Sequence, residues 1–366
     1  MWSELEMKIG YFAMPLHPPG SDLSLTLEHD LYQIEQLDRL GFCEAWIGEH
    51  YTTEWENISS PEIFIAHALA RTKQIILGTG VTCLPNHNPF HIAHRIAVLD
   101  NLAKGRFYWG VGSGATPLDF KVFDVDPTKG ENRTLTRDNL DMVLSIWDGL
   151  SPGRYASEGF WKFNIPEPDL NNGFRVHTKT WSKPYPPIAM AGLSKRSDTL
   201  VLAGERGYMP MSINYVPSVT LKSHWSAVEE GARKSGIVPN RKDWRIAREI
   251  LVAPTTGEAR DIALDKASTL KRDYDLYFRP VLEQYGFLDL VKPDTDMLDS
   301  EITIEWMLDN TWIVGSPEYV TEKLQGIYDD VGGFGVLLAM AHEWSPQGVW
   351  ERSMDLLIND VIPRLP

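Results

Sequence analysis

Short apolar runs alternate along this chain with longer segments of helical spacing, and the alternation repeats eight times. Lys8 to Ala13, Phe42 to Gly48, Ile75 to Leu84 and Arg106 to Gly112 read as buried strands, as do Pro187 to Ala191, Tyr208 to Ile213, Trp244 to Val252 and Phe334 to Ala341. The segments that follow them read as helices. In Leu23 to Leu40, for example, Leu27, Leu31, Ile34, Leu37 and Leu40 share one face and Gly41 supplies a stop. Glu258 to Tyr285 reads as one long helix. Parallel strands need crossovers, so strict βα alternation predicts a parallel sheet. Eight such units in 366 residues predict an α/β fold, a single (β/α)8 TIM barrel spanning 1–366, with excursions at 151–186 and 286–333.

Charge and composition narrow the function. Thirty-five basic against 50 acidic residues give a net charge of -15, which argues against a nucleic-acid partner. No apolar stretch reaches 18 residues, so no membrane-spanning helix is expected. The acidic start, Met1 to Glu6, lacks the apolar core of a leader segment, and the cytoplasm is the expected compartment. The two cysteines, Cys43 and Cys83, sit in apolar runs and are expected to be buried free thiols.

In a barrel the chemistry collects at the C-terminal strand ends. Gly110 to Ala115 nearly fits a dinucleotide fingerprint, but it follows the fourth strand and opens no long helix, so close packing of small residues explains it better. His87, His91 and His94 lack the rest of a metal-ligand set, and no metal is expected. His50, directly after the second strand, is placed to donate a proton or to pack as a core histidine. Gly192 to Thr199 lies between a strand and a helix start. Ser194, Ser197 and Thr199 offer hydroxyls there, which suits either a phosphate or a plain helix cap.

Lys8–Phe12, Gly41–His50, Leu77–Pro85, Gly105–Gly114, Ala203–Gly207 and Val314–Glu318 together resemble the bacterial luciferase-like, flavin-dependent monooxygenases. The resemblance keeps its order along nearly the whole chain. Trp55-Glu56-Asn57-Ile58 and Pro61-Glu62 are similar to the diketocamphane type within it, whose members oxidise cyclic terpene ketones by type II Baeyer–Villiger chemistry. Asn88 stands where luciferase proper has a histidine, and Gly112 and Ser113 replace its reactive cysteine and the neighbouring arginine. These departures argue against light emission and aldehyde use.

The resemblance implies a homodimer that takes reduced FMN (FMNH2) from a separate flavin reductase and uses O2 as co-substrate. It implies His50 near flavin C4a, where it would protect a peroxyflavin, and a cis Gly80–Val81 peptide under the ring with Phe12 nearby. Ser194, Ser197 and Thr199 would hold the phosphate, helped by Arg137. Met14, Trp55, Met340 and Trp344 lie near strand ends and either line a pocket for a small apolar organic substrate, a cyclic ketone or terpenoid, or pack in the core. Oxygen insertion beside a carbonyl and hydroxylation both stay open. So do two alternatives: hydride transfer with deazaflavin F420 on the same barrel, and a non-catalytic flavin-binding protein.

Overall fold

The computed structural model describes residues 7–157 and 161–366; the reading of Met1 to Glu6 lies outside them. Eight strands form the barrel: β1 (Lys8–Ala13), β2 (Glu44–Ile47), β3 (Ile76–Thr79), β4 (Phe107–Gly112), β5 (Ile188–Gly192), β6 (Met209–Ser212), β7 (Arg245–Val252) and β8 (Val336–Met340). Each runs parallel to the next, and β8 closes on β1 with Leu337 beside Ile9. The outer helices include α1 (Leu23–Leu40), α2 (Pro61–Arg71), α3 (Pro89–Ala103), α4 (Glu131–Asp148), α5 (Asp198–Arg206), α6 (Ser218–Ser235), α7 (Pro317–Val331) and α8 (Gln347–Leu356).

Strand period explains why both faces are buried. In β1, Ile9, Tyr11 and Ala13 join the large layer under the helices, whereas Phe12 points into the barrel. In β8, Leu337 and Ala339 face the helices, and Val336, Leu338 and Met340 face inward. The interior is filled from below by Trp46, which is fully buried. Its indole N–H donates to Glu44 Oε1 at 2.8 Å, and Glu44 pairs with Arg245 at 3.0 Å. The wall beside it must be thin. A Cβ on Gly78 would lie 2.6 Å from Trp46 Cε3, and one on Gly110 would lie 1.9 Å from the Thr79 carbonyl oxygen. This close backbone approach accounts for Gly110, whereas Gly112 makes room for the Val81 side chain and Gly114 has a φ of +74°.

Three features differ from the sequence expectation. The helix expected over Glu258 to Tyr285 is broken. It ends at Leu264, Asp265 accepts from Ala267 N–H, and Ser268 caps a new start at Thr269–Asp273. Short polar side chains that bond their own backbone offer it an alternative to the helix. A π-turn, Tyr274–Phe278, follows, just before Pro280. The 151–186 excursion carries an antiparallel hairpin, Gly153–Ser157 with Trp161–Ile165. The 286–333 excursion adds a short helix, Ile304–Asn310, and a strand, Ile313–Gly315, parallel to the end of β7. Both cysteines are free thiols; Cys83 is buried, but Cys43 is only partly so.

Gly110→Ala is expected to lower stability by about 1–3 kcal/mol, the usual range for overpacking a dense interior. Urea unfolding should show a lower midpoint with an unchanged slope. An unchanged midpoint would mean that the wall around Trp46 is not tightly set.

Candidate active site

The loops after the strands converge at one end of the barrel. His50 follows β2, and its ring lies beside Gly48 and Gly80: a Cβ on Gly48 would sit 3.7 Å from His50 Nε2 and 3.8 Å from the Gly80 carbonyl oxygen. The Gly80–Val81 peptide is cis. Phe12 is close by, its Cε2 3.2 Å from where a Gly80 Cβ would be. The structure therefore brings His50, Gly80, Val81 and Phe12 together at the mouth.

His50 Nε2 pairs with the buried Glu56 at 2.7 Å, and Nδ1 lies 3.3 Å from the Thr116 hydroxyl. Glu56 in turn accepts from the Tyr277 hydroxyl, which reaches over from the π-turn. Burial alone would depress the His50 pKa, but the Glu56 carboxylate, with Asp119 and Glu49, outweighs it and the net shift is upward. Glu56 moves the other way: burial raises its pKa, and the facing imidazole reverses this. Glu49, also buried, is bonded to His87 at 2.9 Å.

On the far side, His342 after β8 is 7% exposed, and its Nδ1 donates to the Met14 carbonyl at 2.8 Å. Its Nε2 meets Glu249 of β7 at 3.1 Å, and Asn214 donates to both oxygens of that carboxylate at 3.0 Å. Both ring nitrogens thus face acceptors, the arrangement of an imidazolium. Burial opposes that charge, but the Glu249 bond prevails and holds the pKa near 9. Trp55 stacks against Tyr277 at 5.5 Å and under Arg272 at 6.0 Å, so the loop after β2 is fastened to the segment after β7.

The Gly192 to Thr199 loop is braced from within. The Thr199 hydroxyl donates to the Ala191 carbonyl at 2.7 Å, and Ser197 bonds to Thr199 at 2.7 Å while capping Leu200 N–H. Those two hydroxyl hydrogens are therefore engaged. Ser194 is exposed, with one weak bond to the Arg196 carbonyl at 3.4 Å. His224, fully buried, donates from Nε2 to the Ser194 carbonyl at 2.9 Å and accepts at Nδ1 from Ser212 at 2.9 Å. Burial pushes its pKa down to about 4, so the ring is neutral.

Two groups of sequence candidates fall elsewhere. Arg137 pairs with Glu205 at the far end of α5, whereas Arg133, one turn earlier on α4, reaches Asp198 beside the loop at 2.9 Å. The helical period separates the two arginines, so Arg137 is not brought to the loop. Of the four strand-end residues, Met14 is partly exposed over the interior layer and Trp55 is half-buried at the mouth. Met340 is 1% exposed within the interior core, and Trp344, also 1% exposed, donates to the Tyr11 hydroxyl in the outward-facing layer. Trp344 lies four residues past the end of β8, where the strand alternation that turns Met340 inward no longer holds, and it packs behind the wall. His91 is exposed and His94 bonds the Phe90 carbonyl, and among the described residues no three His, Cys, Asp or Glu are arranged to hold a metal. Sequence reasoning missed Glu56, Glu249 and Tyr277. Glu249 had a signal, since it is the one acidic residue in a strand that is buried throughout.

A family model described as luciferase-like monooxygenase matches residues 7–333. The chain is 32% identical over 364 residues to 4-hydroxyprotoasukamycin monooxygenase of Streptomyces nodosus subsp. asukaensis, covering 98% of this chain and 92% of that one. It is 28% identical over 380 residues to 3,6-diketocamphane 1,6-monooxygenase of Pseudomonas putida, covering 99% of each. A solved structure of the oxygenating constituent of 3,6-diketocamphane monooxygenase, a type II Baeyer–Villiger enzyme in complex with FMN, superposes with a TM-score of 0.89 at 28% identity, over 98% of this chain and 99% of that one.

Two of the buried histidines, His342 and His224, give opposite pH signatures. His342, raised to about 9, stabilises the fold fully below the ordinary histidine value and loses that contribution as pH rises through 9. His224, lowered to about 4, contributes above the ordinary value and loses it as pH falls to 4. His342→Gln should therefore cost more stability near pH 6 than near about pH 9.5, and His224→Gln more near pH 7.5 than near about pH 4.5. Urea unfolding at those pH values checks the crossing; costs independent of pH would contradict it.

Proposed function

Because the chain belongs to the luciferase-like monooxygenase family and is a flavin-dependent monooxygenase, we propose that the mouth of its barrel binds reduced FMN over Gly80–Val81, with His50 as the catalytic residue. The flavin is reduced by a separate protein, and the substrate is small and apolar. We place that substrate among cyclic ketones or terpenoids, after the diketocamphane relative. The observation that supports this reading best is the meeting of His50 with the Gly48–Gly80 backbone in a mouth closed by aromatic and paired polar groups.

The residues present fit the cofactor. Of the first-turn amides of α5, that of Leu200 is taken by Ser197, while those of Asp198 and Thr199 have no partner inside the helix, and the exposed Ser194 and Lys195 lie just before them. That donor set suits a phosphate dianion, and Ser197, Thr199 and His224 keep the loop in shape for it. Bound reduced FMN supplies the electrons that activate dioxygen. Phe12 and the Gly80–Val81 backbone give its ring a flat apolar seat. The chain's own part is to orient the ring, exclude water and hold a proton at His50. Trp55 and Tyr277, fastened to each other, form the apolar cover over this space.

We also place this chain in a cytoplasmic homodimer. Val98 and Leu102, one turn apart on α3, and Ile63 on α2 are exposed at 54%, 62% and 68%, apolar side chains suited to a second copy. Among the described residues, no helix is long and apolar enough to cross a membrane.

Ser194→Ala combined with Lys195→Ala should weaken FMNH2 binding about tenfold, because charge-assisted bonds to a phosphate are lost. His50→Ala should keep FMN affinity but release hydrogen peroxide in place of oxygenated product. Anaerobic flavin titration and a peroxide-to-product assay check both. Full product yield from His50→Ala would exclude the role given to His50.

A further inference from the structure

Both ring nitrogens of His50 have a partner, and the nearer one is a carboxylate to which the sequence reading gave no role. Glu56 lies in the same loop, is 5% exposed, and faces Nε2 at 2.7 Å. Its other oxygen accepts from Tyr277, which belongs to a different part of the chain, the π-turn Tyr274–Phe278 after β7. π-Turns of this kind gather at functional sites because they re-aim one residue out of helical phase. Here the re-aimed side chain reaches across the mouth and meets the loop that carries His50. Trp55 packs on the same tyrosine at 5.5 Å, and Arg272, over Trp55, is tied to Glu343 at 2.7 Å. The cover of the mouth and the histidine beneath it therefore share one mechanical connection.

We propose that Glu56 is a positioning residue that fixes the ring of His50 and sets its protonation state, and that Tyr277 tunes Glu56 from the segment after β7. A carboxylate against an imidazole favours the imidazolium, and a hydroxyl donating to that carboxylate spreads its charge and weakens its pull. The two partners thus act on His50 with opposite signs. Other charged and titratable groups face the unit from every side, and most of them are engaged elsewhere. Glu49 is bonded to His87 and Asp119 to Thr52. His342, after β8, is held by Glu249, and the Tyr215 phenol, after β6, also faces Glu56. Glu56 is the one carboxylate in direct contact with the His50 ring among the described residues. This proposal rests on the reading that His50 serves the reaction, and its test separates the two.

The test is a titration of His50 by NMR in the full-length, flavin-free protein with 15N-labelled histidine, the signal being assigned by its loss in His50→Asn. In Glu56→Gln, which keeps shape and removes charge, the His50 midpoint should fall by about one pH unit or more. In Tyr277→Phe it should rise, by a smaller amount, because the carboxylate regains charge density. The pH profile of the peroxide-to-product ratio should move in step with each midpoint. An unchanged midpoint in Glu56→Gln, or shifts of the same sign in both variants, would overturn the proposal. Should Glu56→Gln fail to fold, the sign of the Tyr277→Phe shift decides alone: a rise supports the unit, and a fall or no change overturns it. Midpoints that move as expected while the product ratio stays fixed would uphold the unit and overturn the reading of His50.

Discussion

Trp46 is the wedge on which the rest of the barrel is set. A (β/α)8 barrel has to fill its own interior, and here one indole does much of that work. Glu44 and Arg245 fix it from below by a buried ion pair and an indole hydrogen bond. Three glycines, Gly78, Gly80 and Gly110, make way for it: a Cβ on any of them would come within 3.2 Å of a Trp46 atom. Those glycines also let the backbone around β3 and β4 close on Trp46. The floor of the mouth is consequently backbone and small side chains, with Phe12 beside it. A flat ligand can lie on such a floor, and side chains from the loops can close over it.

Above that floor, charge is arranged in pairs. His17, His50 and His342 each face a carboxylate, respectively Asp30, Glu56 and Glu249, whereas His87 donates to Glu49 and accepts at Nδ1 from Arg95. Burying a lone carboxylate or imidazolium would be costly, whereas a pair with its remaining valences bonded holds charge in a dry place. His224 is the counter-example: it faces a serine and a backbone carbonyl, stays neutral, and holds the 192–199 loop. The same side chain thus carries charge on one rim of the barrel and acts as a neutral brace on another. The difference lies in whether a carboxylate is within reach.

The architecture was legible in the sequence because it follows from local periods. Seven of the eight expected strand segments contain the observed barrel strand and the fifth ends one residue short of it, since apolar runs of that length have little else to form. What escaped were places where side chains override the period. Asp265 and Ser268 break a helix that the apolar spacing continues. The alternation Trp161, Phe163, Ile165 announces a hairpin strand, yet it is masked by the Pro and Gly around it. The site divides in the same way. Strand ends place His50 and Gly80–Val81 at the mouth, because a barrel collects strand ends there. Which strand-end residues face inward depends on twist and on the exact end of pairing, so Trp344 went behind the wall. Glu56 and Tyr277 are far apart in sequence, and only the π-turn after β7 brings them together.

The central claim is that this mouth manages the meeting of reduced flavin with oxygen. The most direct measurement is stopped-flow absorbance after the protein, loaded anaerobically with reduced FMN, is mixed with oxygenated buffer. The account predicts that the spectrum of oxidised flavin emerges much more slowly than from free reduced FMN, after a distinct earlier spectral phase. Oxidation in a single phase at the rate of free reduced FMN would contradict it.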